Sequence, residues 1–235
     1  MAAMTRETQE DFQELKEFVR QYKIEPSEVF ISQLRIGHKR LFGLLTFIAE
    51  IESNNDETNK FSDDSLGYFA EFRSDVSQAL FCWIHGAYKP AFLSLRTSIE
   101  TFIKAAVCTE DPSVLTEKSM YELLELAKGS AACGGLGEAH FHNIKSSYGV
   151  LCGIAHSATA AKFTQVNALR MFPKFEEADA TQFIRQFNAL VDRFIAVLLA
   201  FNRDLLPRMH FKNRQNVLDT LTKEIKQSIL GEEAN

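Results

Sequence analysis

The sequence predicts a nearly all-α protein, a single domain built as a bundle of about eight helices. Apolar residues recur at intervals of three and four along most of the 235 residues, which is the period of a helix with one buried face. No segment shows the strict alternation of apolar and polar residues that is typical of a strand. Short polar, glycine-containing or proline-containing stretches separate the periodic segments, and such stretches end helices.

The first two predicted helices lie within residues 1–52. One covers about 6–22 and the other about 26–51, with Pro26 in the first turn, where a missing backbone N–H is tolerated. The polar stretch 53–64 has no apolar period and is the clearest loop. It is also the best candidate boundary, so these helices are either part of one domain or an N-terminal appendage to it. One domain over 1–235 is favoured.

The third and fourth helices are predicted over about 64–85 and 89–108. Ser62 or Asp63 is the expected N-cap of the third, because its side-chain oxygen can accept a hydrogen bond from a free amide of the first turn. The break between the two helices is short and contains Gly86. We therefore expect a tight antiparallel hairpin.

Four further helices complete the prediction, over about 111–128, 138–161, 179–204 and 212–230. The stretch 129–137 holds four glycines and is predicted to be the most flexible part of the chain. The stretch 164–177 is predicted to be irregular. The bundle core is expected within 64–205, from the third, fourth, sixth and seventh helices.

The composition excludes several classes of protein. The formal net charge is −5, which argues against a general nucleic-acid coat or a membrane-surface protein, since both need an excess of Lys and Arg. No apolar run approaches the 18 residues of a membrane span, and the polar N-terminus does not resemble a signal peptide. The four cysteines form no CxxC pair. We expect reduced thiols in a cytoplasmic protein.

The familiar catalytic motifs are missing from the sequence. It has no glycine-rich phosphate loop, no GxSxG and no HExxH. Five potential ligands fall within 24 residues, namely Cys133, His140, His142, Cys152 and His156. Their spacing matches no zinc pattern, so we expect no metal and no cofactor. His140 and His142 are then surface residues and Cys152 a core residue.

The sixth helix carries a more informative pattern. Tyr148, Cys152 and His156 are four residues apart, so they stack along one face, beside the small residues Gly149 and Gly153. Small residues allow another helix to approach closely. The ordinary pKa of histidine suits proton transfer at neutral pH. The alternative is a histidine that is only packed within a helix interface.

The fourth helix carries its charges on one stripe. Arg96, Glu100 and Lys104 recur every four residues, and beyond the first residue, Lys89, the helix carries no other charge. Such a stripe is usually a solvated face with weak ion pairs. The apolar surroundings instead predict a central helix, with Arg96 and Glu100 partly buried and paired to each other.

These two helices resemble the HEPN-like superfamily of helical domains. The hairpin QALFCWIHGAYKPAFLSLRTSIETFIKAA is similar to that family's opening hairpin, with its Gly-aromatic turn and its LR…E pattern at Leu95, Arg96 and Glu100. The run SYGVLCGIAHSA is similar to its terminal-helix pattern, an apolar run that ends in histidine and small residues. The resemblance covers about 64–205 and is nearest to HEPN-like bacterial proteins of uncharacterised function.

The resemblance implies a role connected with RNA. The superfamily includes metal-independent ribonucleases of toxin–antitoxin and antiphage systems, as well as non-catalytic RNA-binding members. The nucleases place an Arg before His with four to six residues between the two, at a dimer interface. This sequence departs from that pattern, because Gly149, Val150 and Leu151 occupy the corresponding positions before His156. A cation from elsewhere, Arg96 or Lys145, has to substitute.

The sequence therefore predicts His156, Arg96 and Glu100 as catalytic residues, and Lys145 and Tyr148 as substrate-binding residues. Glu100 is expected to orient Arg96 towards a phosphate, and His156 to activate a 2′-OH. The resemblance implies a homodimer with the sixth helix near the interface, acting on RNA together with a partner protein in bacterial stress or phage defence. The alternatives are a non-catalytic module that binds RNA, a nucleotide or a protein, and a helical protein that binds a small molecule.

Overall fold

The computed structural model describes residues 5–21, 27–155 and 175–231. These residues form ten α-helices and three short 3-10 helices, with no β-strand among them. The predicted all-α bundle is confirmed. None of the helices in the described ranges is long and apolar enough to cross a membrane.

The α-helices follow one another with short connections. They are α1 (Arg6–Gln21), α2 (Glu28–Ser53), α3 (Asn55–Thr58), α4 (Asp63–Ile84), α5 (Tyr88–Val107), α6 (Met120–Lys128), α7 (Glu138–Ala155), α8 (Glu177–Phe201), α9 (Phe211–Thr220) and α10 (Lys223–Leu230). The 3-10 helices are Pro112–Leu115, Gly135–Gly137 and Arg203–Leu205.

The hairpin of α4 and α5 forms as predicted. Ser62 is the N-cap of α4, and its Oγ accepts a hydrogen bond of 3.3 Å from the backbone N–H of Ser65. The turn between the helices passes through Gly86, whose φ of 68° is strained for a residue with a side chain. The two helices then pack against each other along their lengths.

The core is aromatic and lies where α2, α4, α5 and α8 meet. The Phe72 ring lies 5.3 Å from that of Phe102 and 4.8 Å from that of Phe194, centroid to centroid. The N-terminal helices share this core, because Phe30 of α2 stacks on the buried Trp83 of α4 at 5.0 Å. Edge-to-face and offset contacts of this kind stabilise a core beyond the area that they bury.

Two predicted helices are each interrupted by a capping residue. The helix predicted over 111–128 is a 3-10 turn followed by α6, because the Ser119 side chain caps a new helix start by accepting from the Glu122 N–H. The helix predicted over 212–230 is likewise divided into α9 and α10. There the Thr222 side chain accepts from the Ile225 N–H at 3.3 Å. Side-chain oxygens that compete with helical hydrogen bonds favour such breaks.

Three other predictions meet different outcomes. The loop predicted over 53–64 contains the one-turn helix α3. The glycine-rich stretch 129–137 is packed in part: Cys133 is fully buried, and a Cβ built on Gly137 would lie 3.6 Å from the Ala200 Cβ of α8. At Gly137 the lack of a side chain permits this close approach. The end of the sixth predicted helix beyond Ala155, and most of the stretch 164–177, lie outside the described residues.

Candidate functional site

The candidate site lies between α5 and α7, the two helices that carry the sequence patterns. Leu95 and Ile99 of α5 are fully buried, as are Ile144 and Leu151 of α7. These apolar faces hold the helices side by side, as the sequence predicted. Polar residues at the edge of the contact are thereby brought together.

Arg96 of α5 reaches across to α7. Its Nε donates a hydrogen bond to the Cys152 Sγ at 3.2 Å, and its Nη2 donates to the Tyr148 Oη at 2.6 Å. Its Cζ lies 5.0 Å from the centroid of the Tyr148 ring, which is within cation–π range. An arginine has five N–H donors, and the described residues accept hydrogen bonds from two of them.

Tyr148 and Cys152 lie one helical turn apart and are half-buried. Burial, followed by the neighbouring Cys152, raises the pKa of Tyr148, so its phenol keeps its proton at neutral pH. The phenol oxygen accepts from Arg96, and its own O–H is therefore a further donor beside the guanidinium. The arrangement presents donors to an anion.

Glu100 does not orient Arg96, and the expected pairing of these two residues is wrong. Its carboxylate accepts a hydrogen bond of 2.8 Å from the Lys104 Nζ. Lys104 is 8% exposed and lies 5.8 Å from the Tyr68 ring centroid. A lysine that is buried to this extent needs a counter-ion, and Glu100 supplies it one turn away. Arg96 donates two hydrogen bonds to α7 instead.

Lys145 is engaged with α6. Its Nζ forms a short salt bridge with Glu125 and lies 5.9 Å from the ring centroid of Tyr121. The hydrogen bond from Lys145 lowers the pKa of the Glu125 carboxyl. These contacts tie α6 to α7. Of the five predicted site residues, the structure brings together Arg96 and Tyr148.

His156 follows directly after the described part of α7 and lies outside the described residues. Its predicted role as base or acid stays a prediction. Tyr148 and Cys152, which precede it at intervals of four residues, are the two residues that hold Arg96.

His140 is buried, so the expectation of a surface position for it is wrong. Its exposed fraction is 4%, and it links α7 to α8 and α10. Its Nδ1 lies 2.9 Å from the Arg193 Nη1 and accepts from it, which leaves Nε2–H to donate to the Ser228 Oγ at 3.2 Å. Burial, followed by the nearby Arg193 charge, lowers the pKa of His140.

The other described candidates for metal ligands lie in different environments. Burial raises the pKa of Cys133 to about 12, His142 is exposed and Cys152 is half-buried beside Arg96. Within the described ranges, no group of three or more His, Cys, Asp or Glu side chains could hold a metal ion.

Three buried carboxylates among the described residues were missed from the sequence: Glu50 of α2, Asp75 and Asp192. Asp75 of α4 is 8% exposed and accepts a hydrogen bond of 2.9 Å from the Thr101 Oγ1 of α5. Asp192 of α8 is 7% exposed and lies 2.9 Å from the Arg40 Nε of α2. For Asp75 and Asp192 the sequence offers one signal, an aspartate inside an otherwise apolar helical stripe. That signal does not identify the residue with which the aspartate pairs.

No family model, curated protein or solved structure matches the chain. The Arg96 site is therefore the feature that indicates a function. A half-buried guanidinium, fixed by an aromatic ring and a hydroxyl, is suited to bind a phosphate or carboxylate.

Proposed function

We propose that the chain is a HEPN-like cytoplasmic protein of bacterial stress response or phage defence, and that it binds RNA through Arg96. The observation that supports this most directly is the position of Arg96. It is held at two points by Tyr148 and Cys152, and no described residue accepts from its other three N–H donors. The guanidinium group matches the geometry of a phosphate oxygen pair.

The neighbouring phenol strengthens this assignment. Tyr148 is protonated at neutral pH and bonded to Arg96 through its oxygen, so its hydrogen can be donated to the same phosphate. A fixed arginine loses little conformational freedom on binding. With a net charge of −5, the chain is suited to a local contact with one or a few phosphates rather than to a coat along RNA.

The exposed face of α7 supports a homodimer. Val150 is 46% exposed, and no described atom lies within 4 Å of a Cβ built on Gly149. A glycine beside an exposed aliphatic residue allows a second helix to approach closely. A dimer through this face would place two Arg96 sites near one another and would form a longer RNA-binding surface.

Ribonuclease activity is the second candidate. Tyr148, Cys152 and His156 follow one another in the sequence at intervals of four residues. The first two hold Arg96, and this spacing favours a nuclease. In that reaction His156 would remove the 2′-OH proton, the 2′-oxygen would form a bond to phosphorus, and the bond to the 5′-oxygen would break, with water supplying the proton of the 5′-hydroxyl that leaves. Arg96 would neutralise the charge that develops on the phosphorane.

Fluorescence anisotropy with a labelled single-stranded RNA tests the binding proposal. We expect Arg96→Ala to weaken binding roughly 10- to 100-fold, the value of a hydrogen bond to a charged group. Arg96→Lys should restore only part of it. Arg185→Ala removes an exposed arginine from α8 and is the matched control for lost charge. Equal RNA affinity in Arg96→Ala and Arg185→Ala would refute the proposal.

Cleavage separates the two candidates. His156→Ala should abolish RNA cleavage and leave RNA affinity unchanged if the protein is a nuclease. Binding without cleavage in the wild-type protein would establish the non-catalytic module. The genomic neighbourhood is an independent check on the partner protein: an adjacent nucleotidyltransferase, reverse transcriptase or ATPase gene supports a defence role, whereas a metabolic operon supports a small-molecule-binding protein.

A further inference from the structure

A groove of about 740 Å³ lies between α1, α2 and α4, apart from the Arg96 site. Its volume falls within the range of small-molecule sites, which is about 300–1,000 Å³. Most of the described residues that line it are apolar: Leu15, Leu41, Phe42, Leu45, Leu80, Phe81 and Ile84. Phe81 is 48% exposed, so a large aromatic surface is accessible at this position.

The groove lies where few of the described α1 side chains pack on the bundle. Among these side chains Phe12 is the buried apolar one, and its ring lies 5.7 Å from the His38 ring. One turn further on, Leu15 remains half-buried. The apolar sides of α2 and α4 that face α1 are therefore incompletely covered by the described residues.

The charged groups on the groove have one sign. Asp11 and Glu14 lie three residues apart on the exposed side of α1, and no Lys or Arg is among the described lining residues. His38 forms a short hydrogen bond to the Asp11 carboxylate through Nε2, and burial lowers the pKa of His38. The imidazole is neutral at neutral pH, with its proton on Nε2.

His38 thus positions a carboxylate without neutralising it. One Asp11 oxygen accepts from the imidazole, and the side chain stays 49% exposed. The His38 Nδ1 is buried, and no described group donates to it, so its lone pair adds to the negative potential of this wall. An apolar floor, two carboxylates and exposed aromatic surface together complement a hydrophobic cation.

We infer that this groove binds a small hydrophobic ammonium ion, an aliphatic or aromatic amine whose apolar body lies on Leu45 and Phe81 and whose charge lies at Asp11 and Glu14. The Phe42 ring lies 6.1 Å from that of His38, so an aromatic face is available beside the carboxylate. The negative rim favours a cation over a neutral or anionic ligand of the same shape.

Isothermal titration calorimetry with three eight-carbon probes at neutral pH tests this inference. Octylammonium, octan-1-ol and octanoate share a tail and differ in charge. We expect saturable binding of octylammonium at one site, about tenfold tighter than octan-1-ol, with octanoate weakest. The variant Asp11→Asn/Glu14→Gln should weaken octylammonium about tenfold and leave octan-1-ol unchanged.

Two further variants make the result specific to the groove. Glu71→Gln/Glu122→Gln removes two exposed carboxylates that do not line the groove and should leave all three affinities unchanged. Thr46→Phe fills the half-buried α2 wall and should weaken every probe. Circular dichroism establishes that each variant is folded.

The inference is overturned if octylammonium does not saturate, if octanoate binds as tightly as octylammonium, or if the control pair loses affinity as the Asp11 and Glu14 pair does. It is also overturned if the probes fail to bind while the groove mediates contact between two copies of the chain. Self-association lost on Phe81→Ser would show that alternative. RNA affinity should be the same in all these variants, because Arg96 is not part of the groove.

Discussion

Replacing Asp75 by Asn should stabilise the protein at neutral pH. Asp75 is 8% exposed and its Oδ2 accepts from Thr101. Burial, helped by the charges of Glu71 and Glu100, raises its pKa to about 6 although the Thr101 hydrogen bond lowers it. A change from 3.8 to about 6 corresponds to roughly 3 kcal/mol, since one pKa unit is about 1.4 kcal/mol. Local relaxation makes a gain of about 1–3 kcal/mol the expected value. Asn retains an oxygen that can accept from Thr101.

The sign of the pH dependence follows from the raised pKa of Asp75. The folded state binds the proton more tightly than the unfolded state, so this contribution to stability is complete below pH 3.8 and is lost as the pH rises through about 6. Asp75→Asn should therefore unfold with nearly the wild-type free energy at pH 4 and with a larger one at pH 7.5. Urea denaturation at both pH values measures the difference. A variant that is less stable at pH 7.5, or a difference that does not change with pH, would refute the reasoning.

Two further predictions concern packing and charge elsewhere in the bundle. Asp192→Asn should destabilise the protein by about 2–4 kcal/mol at pH 7.5, because Arg40 then loses its buried counter-ion. We expect this loss even though burial raises the pKa of Asp192 to about 6 as well. A higher stability of the variant in urea denaturation would contradict the prediction. Gly43→Ala should cost about 1–3 kcal/mol, because its Cβ would lie 2.8 Å from the Thr220 Cβ. Gly67→Ala, with no described atom within 4 Å, should instead stabilise α4 by about 0.5–1 kcal/mol; thermal unfolding of both variants distinguishes steric from propensity effects.

The helices could be predicted because their signals are local. The Ser62 cap, the Gly86 turn and the long apolar stripes each depend on a few neighbouring residues, and the α4–α5 hairpin follows from them. Two helix boundaries were missed because a capping residue is a weaker signal than the apolar period around it. Ser119 and Thr222 begin new helices inside segments that still place apolar residues at helical intervals.

Packing partners were much less predictable than helices. The stretch 129–137 is glycine-rich, which indicates flexibility when no partner is known. Gly137 lies against α8, so its lack of a side chain permits close contact there. His140 is similar, since its burial depends on Arg193 and Ser228, which are far away in the sequence.

The Arg96 site shows why a correct pair of helices can still carry a wrong pairing of side chains. Within α5, Glu100 is equally distant in sequence from Arg96 and from Lys104, so spacing alone gives either pair. Which cation pairs with Glu100 depends on the groups that each cation contacts outside α5. Lys104 is buried beside the Tyr68 ring and needs the carboxylate, whereas Arg96 finds a phenol oxygen and an aromatic face on α7. Among the described residues no carboxylate accepts a hydrogen bond from Arg96, and a guanidinium in that condition retains its charge for an anionic ligand. The mispredicted pairing thus strengthens the reason to test Arg96 as a phosphate-binding residue.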